Sequence, residues 1–133
     1  MILCDTNILI EFYRGNSEII RELRKIGLHN LAISVITAGE IYFGARDKRE
    51  LRQIKKNLLL LKQIPLDVEI SQYFLVLLEK YVLSHRLSVP DALIAATALS
   101  QRFPLYTLNL RDFQFIPDLQ LHRPNLDEPK LLG

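Results

Sequence analysis

What the chain lacks narrows the reading first. It has a single cysteine, Cys4, so an internal disulfide framework is excluded and a reducing compartment is expected. No apolar run approaches the ~20 residues that a membrane-spanning helix needs. The first ten residues hold Asp5 and no basic residue, unlike a secretory leader. Together these absences predict a cytoplasmic protein with no membrane segment. Charge of neither sign dominates: 17 Lys and Arg face 15 Asp and Glu, a net +2, so bulk charge names no partner. His29, His85 and His122 are scattered without zinc-like spacing and read as structural or surface residues. There is no internal repeat, low-complexity tract or linker. What remains is 133 residues of ordinary globular composition, 49% apolar and 24% charged, enough for one domain with its own core.

Periodicity supplies the elements. Met1–Cys4 reads as a buried first strand, with Cys4 a small core residue and Asp5 able to cap the helix that follows. Ser17–Ile26 carries one apolar face, with Ser17 as its cap and Gly27 as its stop. Leu31–Val35 is a second strand. Thr37-Ala38-Gly39-Glu40 then matches the S/T-x-x-E capping box. Residues 47–63 predict one long amphipathic helix through Leu51, Ile54, Leu58 and Leu61. Its flank is basic: seven cations from Arg46 to Lys62 stand against Asp47 and Glu50. Residues 64–67 form a link or edge strand, and 68–85 a helix with Ile70, Phe74, Leu77, Leu78 and Tyr81 on one face.

Ser88-Val89-Pro90-Asp91 opens another helix, with Pro90 in the first turn and small apolar residues behind it. Pro104–Leu108 is a strand, Asn109–Phe113 a loop or helix start, and Leu119–Leu121 a last short strand. The expected organisation is one domain over residues 1–122 and a peripheral tail over 123–133. Strands alternating with helices predict an α/β sandwich around a mostly parallel sheet.

Three carboxylates recur in one context. Asp5 ends the first strand, Glu40 lies in the helix after the second, and Asp91 opens the helix before the last core strand. Asp112, just beyond that strand, is a fourth candidate. Each of the first three has a bland explanation as a helix-start charge or cap. Caps alone do not explain why all of them should reach the crevice outside the carboxyl ends of the strands, where open α/β sheets place their sites. Clustered carboxylates repel unless a cation joins them. An all-oxygen donor set suits Mg²⁺ or Mn²⁺, which points to phosphoryl or phosphodiester chemistry.

Four stretches in order carry a resemblance: Asp5-Thr6-Asn7-Ile8-Leu9, Ser34 to Ala45 around Glu40, Pro90-Asp91-Ala92-Leu93-Ile94-Ala95-Ala96-Thr97-Ala98, and Thr107 to Phe113. Over residues 1 to about 122 the chain resembles the PIN-domain ribonucleases of the VapC toxin type. The resemblance implies a PIN-like α/β/α sandwich and a Mg²⁺- or Mn²⁺-dependent endoribonuclease. It implies that Asp5, Glu40 and Asp91 match the family's acidic triad. The fourth acid stands either where this chain has Asn109 or at Asp112, and only Asp112 is charged. All four are thus carried as both catalytic and metal-binding candidates. Thr6 and Thr107, beside the acids, are placed to bond a water or phosphate. Arg102-Phe103 departs from the family's frequent glycine before the last strand, which bears on a turn.

The resemblance further implies an RNA substrate, a homodimer and a cognate VapB-type antitoxin. Arg14 and the Arg46–Lys56 run are candidates to hold the RNA backbone. The rival readings are a housekeeping PIN nuclease and a non-catalytic binding module of the same fold. A haloacid-dehalogenase-type phosphatase would need D-x-D where this chain has Asp5-Thr6-Asn7, and a receiver domain a lysine where the chain after Thr107 offers Arg111.

Overall fold

Every strand among the described residues is short, two to four residues, so the sheet is held less by its ladders than by what covers its faces. The computed structural model describes residues 1–124. Strands β1 (Ile2–Cys4), β2 (Leu31–Ser34), β3 (Lys62–Ile64) and β4 (Leu105–Tyr106) lie in the order β3-β2-β1-β4, and every pairing is parallel. The expected strand at Leu119–Leu121 is reduced to one bridge, Leu121 to Leu105.

Side chains alternate across the pleat, so adjacent residues feed two cores. Leu3, Ala32, Ile64 and Leu105 enter one core with helices α5 (Val68–His85) and α6 (Val89–Gln101). Cys4, Leu31, Ile33 and Tyr106 enter the other. That second layer consists of α1 (Thr6–Tyr13), α2 (Ser17–Ile26), α3 (Val35–Phe43) and α4 (Lys48–Leu58). The result is the expected α/β/α sandwich, with both faces of a parallel sheet covered. The segment after β4 returns to the first core through Phe113, Ile116 and Leu119.

Three local expectations change. Asn16, not Ser17, caps α2, accepting from Glu18 N–H (3.1 Å) and Ile19 N–H (3.3 Å). The helix expected over 47–63 stops at Leu58, and Lys62–Ile64 is the edge strand beside β2. The four leucines 58–61 mislead because only Leu58 and Leu61 are buried; Leu59 and Leu60 are 69% and 64% exposed on the turn between helix and strand. An apolar run does not itself distinguish these states; pairing with β2 decides. Finally, Glu40 is not the end of a capping box. Helix α3 starts at Val35 under Ser34, whose Oγ accepts from Thr37 N–H (3.1 Å). Of the tail expected over 123–133, residues 125–133 lie outside the described residues.

Candidate active site

The site is assembled at the carboxyl edge of the sheet, where the chain order turns back and β4 is laid against β1. Asp5 leaves β1 in extended backbone and caps α1, its Oδ1 accepting from Thr6 N–H (2.8 Å). Its own N–H donates to Tyr106 O (2.9 Å), which fixes it against the end of β4. Asp5 is buried, at 5% exposure. Its second oxygen, Oδ2, accepts from the Thr107 hydroxyl (2.8 Å).

Glu40 projects from the second turn of α3 and is exposed. The Thr6 hydroxyl donates to its Oε1 (2.6 Å) and stands 3.1 Å from the Thr37 hydroxyl. Asp91 lies in the first turn of α6, half-buried, its N–H donating to the Ser88 cap (3.2 Å). Asp112 ends a short 3₁₀ turn over Leu110–Asp112 and is exposed.

Electrostatics joins all four. Burial pushes the Asp91 carboxyl up to about 6, and the charges of Asp5, Asp112 and Glu40 add to that. Asp5 is raised mainly by burial, while hydrogen bonds from Thr107 and the Thr6 N–H oppose the rise and Glu40 and Asp112 reinforce it. Such repulsion is the signature of a carboxylate cluster short of positive charge. The donors are oxygens alone. As they stand, no three Asp, Glu, His or Cys side chains among the described residues converge tightly enough to chelate an ion. A hydrated Mg²⁺ needs only one or two direct carboxylates and keeps several waters, so the donor set fits that class of cation and not a zinc-type cage.

Residues around the acids take clearer roles than their positions in the chain suggested. Thr6 and Thr107 bond the carboxylates Glu40 and Asp5 rather than standing free beside them. Asn109 donates its N–H to Thr107 Oγ1 (3.0 Å), and its carbonyl accepts from Asp112 N–H (3.0 Å). Cys4 is fully buried, and burial followed by the neighbouring Asp5 pushes its thiol up to about 12, so it is no nucleophile. Asn7 and Thr37 had no assigned part; their only signal was position, in the D-T-N stretch and one helical turn before Glu40. Arg14 ends α1 and bridges Glu11 (3.3 Å).

With this geometry established, comparison with known proteins is direct. The PIN domain family matches residues 2–116. Ribonuclease VapC10 of Mycobacterium tuberculosis H37Rv is 34% identical over 124 residues, spanning 90% of this chain and 91% of that protein. A toxin-antitoxin complex from Klebsiella pneumoniae aligns with a TM-score of 0.77 at 33% identity, over 90% of this chain and 95% of that one. VapBC-1 from nontypeable Haemophilus influenzae aligns at 0.76 and 29% identity, over 92% and 97%. The chain belongs to the PIN-domain family, alongside the VapC ribonucleases.

Proposed function

We propose that this protein is the toxin of a VapBC pair, an endoribonuclease that hydrolyses RNA phosphodiester bonds with Mg²⁺ or Mn²⁺. The observation that carries the reading is the carboxylate grouping at the sheet edge: the Thr107 hydroxyl bonds Asp5 (2.8 Å), the Thr6 hydroxyl bonds Glu40 (2.6 Å), and the charges of Glu40 and Asp112 act on both Asp5 and Asp91. When bound, the cation supplies a hydroxide nucleophile near neutral pH and stabilises charge on the phosphoryl oxygens. Asp5 and Asp91, the less exposed pair, would hold it directly or through water. Glu40 and Asp112, which face solvent, would complete the ion's ligand set, bind a second ion, or orient the attacking water. In-line attack by water on phosphorus, with the P–O3′ bond breaking and the 3′-oxygen leaving as a hydroxyl after protonation, leaves a 5′-phosphate and spares the RNA 2′-OH.

The exposed cations of α4 — Lys48, Arg49, Arg52, Lys55 and Lys56 — supply the backbone contacts, and none has a carboxylate bridge among the described residues. Arg46 is spent on Glu50 (3.0 Å). The toxin-antitoxin complexes among the structural relatives support a VapB-type antitoxin as partner. An apolar groove of about 230 Å³ between α1, α2 and the end of α4, lined by Tyr13, Leu28 and Leu60, offers it a seat. Leu75 and Val76 on α5 remain exposed and suit a second copy in a homodimer. We assign residues 1–122 to the PIN-like domain. No helix among the described residues is long and apolar enough to cross a membrane, and we place the protein in the cytoplasm with its RNA.

The test is Mn²⁺ titration of the partner-free protein by calorimetry beside Asp5→Asn and Asp91→Asn, followed by end analysis of cleaved RNA. Saturable binding lost in both variants, and 5′-phosphate ends, are expected. No binding by the folded wild type, or 2′,3′-cyclic phosphate ends, would sink the reading.

A further inference from the structure

Asn7 is half-buried at the start of α1, two residues after Asp5, and its side chain leaves its own helix. Its Oδ1 accepts from Leu108 N–H (3.2 Å) and its Nδ2 donates to Thr107 Oγ1 (3.4 Å). The partners lie about 100 positions away in the chain. Thr107 Oγ1 also accepts from Asn109 N–H (3.0 Å). A threonine hydroxyl has two lone pairs and one proton. Here both lone pairs face N–H donors, so the proton has one remaining direction, toward Asp5 Oδ2 at 2.8 Å. Thr107 is 4% exposed, which leaves little room for water to compete. The same bonds hold the loop after β4, because Asn109 in turn accepts from Asp112 N–H and starts the turn that ends in Asp112.

We infer that Asn7 is a positioning residue: through the Thr107 hydroxyl and the Leu108 N–H it holds the Asp5 carboxylate and the loop bearing Asp112 in one arrangement. The inference rests on the nuclease reading only for what that arrangement is used for. The side-chain bonds of Asn7 go to Thr107 and Leu108, and none goes to a carboxylate. The residue acts by locking a hydroxyl rotor that would otherwise turn, and by tying two loops that carry like charges and repel. Outer partners of this kind orient metal ligands, and removing them weakens metal binding about 10–100-fold.

The experiment uses the full chain as wild type, Asn7→Ala, Thr107→Val and the double variant, with Mn²⁺ alone as the probe in calorimetry. Asn7→Ala is expected to weaken Mn²⁺ binding about tenfold, and Thr107→Val by at least as much. If Asn7 acts largely through Thr107, the double variant falls well short of the product of the two losses. In parallel, amide hydrogen exchange on the metal-free proteins reads the clamp itself. Asn7→Ala should accelerate exchange at Leu108 and Asn109 about tenfold and leave Leu3 and Ile33 unchanged. Asn7→Asp keeps the shape and the acceptor for Leu108 N–H but loses the donor to Thr107, so it should retain protection at Leu108. Wild-type protection at Leu108 and Asn109 in Asn7→Ala, or losses that multiply in the double variant, would overturn the inference. A wild type that binds no Mn²⁺ would defeat the nuclease reading, and the exchange measurement would still decide the clamp.

Discussion

The acidic edge of the sheet and the basic face of α4 are both rich in charge of one sign, yet they are built differently. At the acidic edge, Asp5 is buried, Asp91 is half-buried, and both carboxyls are raised by that burial and by the acids around them. Hydrogen bonds from Thr107 and Thr6 hold Asp5 and Glu40 in place. On α4 the cations point into water from a helix whose inner side buries Leu58. Exposed like charges on long side chains are screened and mobile, and they strain the fold little. A surface that attracts a polyanion needs only summed charge. The proposed centre for bond breaking needs fixed oxygen atoms, and at the acidic edge burial and hydrogen bonds hold them against their mutual repulsion.

The largest expected effect comes from neutralising the buried side of this contrast. Asp5→Asn or Asp91→Asn should lower RNA cleavage at least about 10³-fold, the equivalent of the several kcal/mol a metal ion contributes to charge stabilisation. Calorimetric unfolding should show Asp91→Asn no less stable than wild type without metal, because the substitution removes repulsion and leaves the Ser88 cap to the Asp91 backbone N–H intact. A marked destabilisation would mean that the carboxylate is a structural cap after all.

Next in size is the support around Glu40. Thr6→Val removes the hydroxyl that donates to Oε1 and should reduce Mn²⁺ affinity and cleavage together by about 10–100-fold. Weaker RNA binding with intact Mn²⁺ binding would reassign Thr6 to the substrate.

Reversing charge on α4 should act on the other side only. Lys55→Glu with Lys56→Glu should weaken RNA binding about tenfold and flatten its salt dependence by about one unit of slope for each phosphate no longer neutralised, with kcat unchanged. An unchanged salt slope, with weaker antitoxin binding instead, would assign that face to the protein partner.

The smallest effect is a pH dependence of stability. The folded Asp91 carboxyl titrates at about 6 against an ordinary 3.8, so between these values the folded state keeps a proton that the unfolded chain has released. Its contribution is fully present below the ordinary value and is lost as pH rises through about 6. Asp5 is shifted in the same direction. The metal-free Tm should therefore fall over that window. Added Mn²⁺ should raise Tm at pH 7 and do little near pH 4. A metal-free Tm that rises through the window would show the carboxylates paired with cations of the protein itself.

Much of this is legible in the chain because it depends on neighbours. Asp67 caps α5 and one apolar stripe runs its length, so the expected 68–85 agrees with Val68–His85. Ser88, Pro90 and Asp91 mark the start of α6 in the same local way. Where two local signals compete, tertiary contacts choose. Thr37-x-x-Glu40 satisfies a capping pattern, but β2 ends at Ser34, and Ser34 takes the cap one turn earlier. Pairing with β1 and β3 sets that end, and neither partner is nearby in sequence. The leucines after α4 pose the same ambiguity, resolved by β3 joining β2.

The sequence by itself determined that strands and helices alternate, which faces are apolar, and that Asp5 and Asp91 stand at element starts, since periodicity and capping are properties of a few adjacent residues. Only the tertiary structure decided that four carboxylates share one field, that Thr6 serves Glu40, and that Asn7 and Thr107 secure Asp5. The hydrogen bonds among them join residues 34 to 102 positions apart, and such distances close only when a parallel sheet brings the carboxyl ends of its strands to one edge.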